Sequence, residues 1–222
     1  MNYQDSHKIP FYKPLLLGKE VSSISRFLGG ETPNPTRDCI EKLKKIIGTE
    51  NIFLTGSCSQ ALDMSIRALG IGVGDEVIIP SFTFTSGANA IVSVGATPVF
   101  VDCDRSTLNI RADIIENAIT KRTKAVVIMH YAGVSCQTGD IQRLCQDNNL
   151  DLIEDAAQCI DSYSNGNHLG TFGTFGTISF HQTKTYIAIL EEQLSIKMKN
   201  PGKSYTKCST MGQIDLLSIR RK

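Results

Sequence analysis

No CxxC pair occurs among the seven cysteines, Cys39, Cys58, Cys103, Cys136, Cys145, Cys159 and Cys208, and none stands at zinc-ligand spacing. An odd, unpaired set predicts reduced thiols in a cytoplasmic protein, with neither a disulfide framework nor a metal site. The opening Met1-Asn-Tyr-Gln-Asp-Ser-His-Lys8 lacks the apolar core of a signal peptide, and no run approaches bilayer-spanning length. The net charge is +1, with one basic cluster at Arg220-Arg221-Lys222, so neither nucleic acid nor a membrane is an expected partner. No G-x-G-x-x-G follows an apolar strand, which argues against a nicotinamide-dependent oxidoreductase. Internal repeats and low-complexity tracts are also missing.

What is present fits one large α/β domain, or a domain and a remnant: 222 residues, 41% hydrophobic and 20% charged. An extended arm is predicted up to Pro14. Val21, Ile24, Phe27 and Leu28 predict a short helix ending at Gly29-Gly30. Thr36-Arg37-Asp38 can cap a second helix with Ile40, Leu43, Ile46 and Ile47 on one face. An alternation follows. Strands are predicted at 51–54, 76–79, 98–101, 124–129, 151–153 and 177–180, and helices at 60–69, 86–94, 112–119 and 141–148. Short β-branched strands between amphipathic helices specify a mostly parallel sheet covered on both faces.

In such sheets ligands sit beyond the carboxyl ends of the strands, and four segments fall there. Thr55-Gly-Ser57-Cys58-Ser-Gln60 turns from strand to helix, where exposed amides and small hydroxyls suit a phosphate; the same residues also read as a plain helix cap. Pro80-Ser-Phe-Thr-Phe84-Thr-Ser86 offers an aromatic that could lie on a heteroaromatic ring, or pack in the core. Asp155 ends an apolar strand, where a carboxylate needs a cationic partner such as a protonated pyridine, or serves as a helix cap. Ser179-Phe-His-Gln-Thr-Lys184 places a lysine just past a strand, where reduced solvation makes an amine nucleophilic toward an aldehyde. Phosphate seat, stacking surface, carboxylate and amine together specify pyridoxal 5′-phosphate.

On Gly74-Asp-Glu-Val-Ile-Ile-Pro80-Ser-Phe-Thr-Phe84, His130-Tyr-Ala-Gly133, Glu154-Asp-Ala-Ala-Gln158 and Ser179-Phe-His-Gln-Thr-Lys184, the chain resembles the DegT/DnrJ/EryC1/StrS sugar aminotransferases, a branch of the fold-type I pyridoxal phosphate enzymes. The His-Gln-Thr-Lys form is nearest to the dTDP-4-amino-4,6-dideoxygalactose transaminase subgroup. The resemblance covers residues 9–188. It implies amino transfer from glutamate to a nucleotide-linked 4-keto-6-deoxysugar, in the building of cell-surface polysaccharides such as O-antigen and enterobacterial common antigen. It further implies that Lys184 bonds the cofactor's aldehyde and then moves the proton. Asp155 would hold the ring nitrogen, Gln158 the ring hydroxyl, and Phe84 the ring face. Ser57, Cys58 and Ser179 would hold the phosphate. His130 and His181 are expected to hydrogen-bond structurally near the same rim. Full-length members form homodimers and carry a second domain.

After Lys184 the family continues with a Gly-Gly-Ala type strand, but here Ile189-Leu-Glu-Glu-Gln-Leu-Ser-Ile196 stands instead. Reverse-translated with plausible codons through Met198 and read two bases on, the sequence from Ile189 spells Ile-Gly-Gly-Ala-Ile-Ile-Asn-Lys-Asn. The expectation is a partial cofactor-binding domain over residues 1–188, then a tail, 189–222, that is out of frame and poorly structured. Loss of that strand is expected to expose backbone groups inside the sheet, with only the alternation at Leu194, Ile196 and Met198 to cover them.

Overall fold

The computed structural model describes residues 18–31, 34–181 and 183–184, and the backbone of 193–195. The arm expected before Pro14, and Ile196 and Met198, lie outside these. Chain order runs α1 (Glu20–Leu28), α2 (Pro35–Ile47), β1 (Phe53–Thr55), α3 (Cys58–Ala68), β2 (Glu76–Pro80), α4 (Ser86–Ser93), β3 (Thr97–Val101), α5 (Ala112–Ala118) and β4 (Thr123–Met129). Next come α6 (Thr138–Asp147), β5 (Asp151–Asp155), a hairpin of β6 (Tyr163–Ser164) and β7 (Asn167–His168), then β8 (Phe175–Ile178) and β9 (Gln193–Ser195). None of the described helices is long and apolar enough to cross a membrane.

Seven strands form one sheet in the order β1-β9-β8-β5-β4-β2-β3. The pairs β2–β3, β2–β4, β4–β5 and β5–β8 are parallel, while β9 runs antiparallel to both of its neighbours. The place expected to stand empty is therefore filled by three residues of the tail, with Leu194 opposite Ile178 on one side and Leu54 on the other.

The alternation of a strand explains the two-sided core. Val77 and Ile79 of β2 point with Val127 and Ile153 toward Leu62 and Ile66 of α3 and Ile91 of α4. Ile78 points the other way, with Val126, Ile128 and Leu152, toward Ile115 of α5 and Ile141 of α6. A third cluster sets Leu43 and Ile47 of α2 against Ala156, Leu169 and Ile178. The mostly parallel sheet with helices on both faces is thus as the sequence predicts.

Local differences have local causes. The cap of α2 is Asn34, not Thr36-Arg37-Asp38: its side chain accepts from Arg37 N at 2.9 Å, and Pro35 takes the first helical position, where no amide is needed. β8 begins at Phe175, because the ladder pairs Ile153 with Phe175 and Asp155 with Thr177. The apolar face of α1 forms as predicted, yet Val21, Ile24, Phe27 and Leu28 are all exposed and α1 has no buried residue.

Gly176, in mid-strand, is compulsory. A Cβ there would run into Gly170 O and its carbonyl carbon, both main-chain atoms that cannot swing aside. Gly176→Ala is expected to destabilise the chain by about 1–3 kcal/mol, the usual range for overpacking. Urea unfolding checks this, and an unchanged midpoint would show that the turn carrying Gly170 yields freely.

Candidate active site

Four parallel strands end side by side, and each hands the chain to a loop at the same edge of the sheet. β2 leads to 81–85, β4 to Tyr131–Gly133, β5 to 156–158 and β8 to 179–184. A cavity of about 350 Å³ lies there, lined among others by Ala132, Gln158, Ser179, Thr183 and Lys184. Lys184 is held at the close of a turn, its amide donating to His181 O at 2.8 Å, while the His181 ring meets the Thr183 hydroxyl at 3.0 Å. Ser179 is buried and its hydroxyl lies 3.4 Å from His181 N.

Asp155 ends β5 with only 3% of its surface exposed. Burial pushes its carboxyl above the ordinary carboxylate range, while the Ala157 amide and the Lys184 cation pull it back. Among the described residues its only hydrogen-bond donor is the Ala157 N–H, at 3.1 Å to Oδ1. One oxygen of a buried carboxylate is therefore left for a donor that none of the described residues supplies.

The sign of that shift makes a prediction. A carboxyl raised in the folded state contributes stability that is fully present below its unfolded value, about 3.9, and lost as pH rises through its folded value. Asp155→Asn escapes this loss. The cofactor-free variant is expected to melt above the parent at pH 7, with the gap closing toward pH 4. Calorimetry across that range checks it, and a gap that persists in acid would refute it.

Cys58 opens α3 beside the same group. Burial, then the Asp155 charge, push its thiol up to about 12, against a hydrogen bond with the Thr177 side chain and the nearby Lys184 cation. Ser57 caps α3, its hydroxyl accepting from Gln60 N at 3.1 Å, while the Gln60 side chain takes Gly56 N at 2.8 Å. Phe84 is 67% exposed and is not among the cavity's lining residues; Phe82 instead packs on Tyr131, ring centres 5.0 Å apart. The structure thus gathers Gln158, Ser179 and Lys184 around one cavity, sets Asp155 and Cys58 within electrostatic reach of Lys184, and keeps Ser57 and Phe84 off its lining.

Two residues beneath the site carry more than the sequence signalled. Glu154 is wholly buried, and each of its oxygens takes two donors: Oε2 from His130 Nε2 (2.8 Å) and Gly170 N (2.9 Å), Oε1 from Phe172 N and Gly173 N (both 2.6 Å). His130, also fully buried, accepts the Cys136 N–H on Nδ1 at 3.1 Å, so the proton that reaches Glu154 sits on Nε2. Both of its ring nitrogens are thus engaged in hydrogen bonds within the fold. The signal for Glu154 was the charge itself, a glutamate at the end of an otherwise apolar strand, next to Asp155.

Comparison with known proteins matches residues 34–191 to the DegT/DnrJ/EryC1/StrS aminotransferase family. The spore coat polysaccharide biosynthesis protein SpsC of Bacillus subtilis (strain 168) is 37% identical over 182 residues, covering 81% of this chain and 47% of its own length. Among solved structures, the aminotransferase TlmJ from Streptoalloteichus hindustanus superposes with a TM-score of 0.80 and 32% identity, over 87% of this chain and 53% of its own. An aminotransferase from Psychrobacter cryohalolentis gives 0.77 and 32%, over 84% and 49%. NtdA from Bacillus subtilis, solved with bound cofactor PMP, gives 0.76 and 29%, over 90% and 47%. The chain spans about half the length of these relatives.

Proposed function

The chain belongs to the DegT/DnrJ/EryC1/StrS aminotransferase family, and on that premise we propose that it is the cofactor-holding part of a pyridoxal phosphate-dependent sugar aminotransferase. The observation that carries this is the buried Asp155, one oxygen without a donor among the described residues, within electrostatic reach of Lys184, which lines the cavity. A protonated pyridine nitrogen supplies the missing donor. Ser179 and Gln158 on the same cavity offer a hydroxyl and an amide. The residues present fit the cofactor.

When bound, pyridoxal phosphate supplies an aldehyde and an electron-accepting ring. The chain's own groups do the rest. Asp155 keeps a proton on the ring nitrogen, so that the ring remains an electron sink. The Lys184 amine would hold the cofactor through its aldehyde, and its Nζ would take and return the proton at the amino donor's α-carbon. Gln158 and Ser179 orient the ring and its phosphate, with Ser57 and Cys58 nearby at the start of α3. Phe84 would cover the ring face.

The finer reading is a dTDP-linked 4-keto-6-deoxysugar as acceptor, glutamate as donor, and a cytoplasmic homodimer serving cell-surface polysaccharide synthesis. The Gly74–Phe84 and Ser179–Lys184 signatures support it, as does SpsC, described as a polysaccharide biosynthesis protein. A second reading, a non-catalytic remnant that keeps the cofactor seat, is favoured by Ile189-Leu-Glu-Glu where the family has its Gly-Gly-Ala strand. Adding pyridoxal phosphate to the purified chain tests the premise common to both: an absorption band that borohydride fixes onto Lys184 is expected. Amino transfer from glutamate to a dTDP-4-keto-6-deoxysugar then separates them. Sequencing the gene through codons 186–190 checks the frame; a shifted frame dense with stop codons would sink the frameshift.

A further inference from the structure

Gln158 reaches the cavity with an amide that has two different ends, and the structure decides which end faces in. The Ala132 N–H donates to Gln158 Oε1 at 2.6 Å. An N–H cannot point at an NH2 group, so this contact commits the oxygen and leaves the two Nε2 donors for the cavity.

Ala132 is not placed there by preference. Its φ of 53° and ψ of 24° are left-handed, a conformation that costs a non-glycine residue about 1–2 kcal/mol. Gly133 follows at φ 79°, and a Cβ on it would sit 2.9 Å from Ser162 Oγ and 3.1 Å from Gln158 O. The turn is thus pressed against the segment it orients. Something must hold it, and that is Asn109 from the loop after β3. Asn109 is 3% exposed; its Oδ1 accepts Tyr131 N at 2.9 Å and its Nδ2 donates to Val134 O at 3.0 Å. One amide thereby closes both ends of the 131–134 turn. Asn109 is itself fixed, its carbonyl taking Asp104 N at 2.9 Å.

We propose that Asn109, through the left-handed turn at Ala132, is a positioning residue that locks the Gln158 amide with its NH2 group toward the cavity. The inference rests on the cofactor reading above for its consequence: a ligand oxygen carrying negative charge, such as a ring phenolate, is what two fixed donors recognise. Without the lock the amide turns freely, and half of its orientations present an oxygen to that oxygen.

The test uses the full chain and pyridoxamine 5′-phosphate, which binds without a covalent bond to Lys184. In calorimetric titration, Asn109→Ala and Gln158→Ala are each expected to weaken binding by about ten-fold, the size of one hydrogen bond to a charged group. Because both act on one contact, the double variant should bind no more weakly than Gln158→Ala alone. Additive losses would mean that Asn109 acts elsewhere, and would overturn the proposal, as would wild-type binding in Asn109→Ala. If Asn109→Ala does not fold, Asn109→Ser, polar but too short to bridge Tyr131 and Val134, takes its place with the same expectation. A second readout needs no cofactor. The Gln158 side-chain amide pair in a 15N correlation spectrum, assigned by its loss in Gln158→Ala, should move to free-glutamine positions when Asn109 is replaced. No movement sinks the relay even if the ligand binds. Failure of the wild type to bind the ligand would count against the cofactor reading alone, and the amide signal would still decide the relay.

Discussion

Lys184→Ala is expected to abolish covalent retention of pyridoxal phosphate and to lower amino transfer by the whole enzyme at least about 100-fold, the lower end of what a positioned proton-transfer group contributes. Lys184 lines the cavity at the end of a turn that is held by its own main-chain amide, and neither of those supports depends on the side chain. Borohydride reduction followed by peptide mass analysis reads the covalent bond directly. Persistent labelling at another lysine in the variant would move the chemistry away from residue 184 and with it the whole reading of the cavity.

Glu154→Gln is expected to cost about 3–5 kcal/mol, a large share of the roughly 5–15 kcal/mol that holds an ordinary domain together. Glutamine matches glutamate in shape, but not in what this place demands. Four donors converge on the two oxygens, and an amide would turn its NH2 toward two of them. The partners have no freedom to withdraw. Three are main-chain amides of the 170–173 turn, and the fourth is a ring whose tautomer is fixed from behind by Cys136 N. Urea unfolding of the cofactor-free chain measures the loss. Arg122→Ala, which breaks an ion pair that is largely open to solvent on the arginine side, should cost under about 1 kcal/mol and serves as the comparison. If the two variants lose equal stability, Glu154 is not the junction described.

Much of the sheet was legible because its strands are short β-branched runs such as Val77-Ile-Ile79 and Ala125-Val-Val-Ile128, whose burial on both faces leaves little alternative. The hairpin of β6 and β7 was not seen. Its arms are two polar residues each, too short for any period, although Asn165-Gly166, both at positive φ, is the turn such hairpins favour. Asp155, Ser179 and Lys184 drew notice in the sequence because they stand at predicted strand ends, and Gln158 through the family resemblance. Ala132 and Asn109 could not. What Ala132 contributes is a main-chain N–H in an unusual conformation, and alanine carries no mark of that; Asn109 acts between atoms brought together only by the fold. Phe84 shows the opposite limit: an aromatic at a predicted strand end stands mostly in solvent, where spacing alone says nothing about what covers it.

β9 places a constraint on how the molecule is made. Among the described residues β1 joins the sheet only through Gln193–Ser195, with Thr55 opposite Gln193 and Phe53 opposite Ser195. During synthesis residues 193–195 must follow before β1 has that ladder partner, a distant closure that slows folding and prolongs exposure to aggregation. A nascent chain arrested before residue 193 would keep the strands from β2 to β8 and leave β1 unzipped.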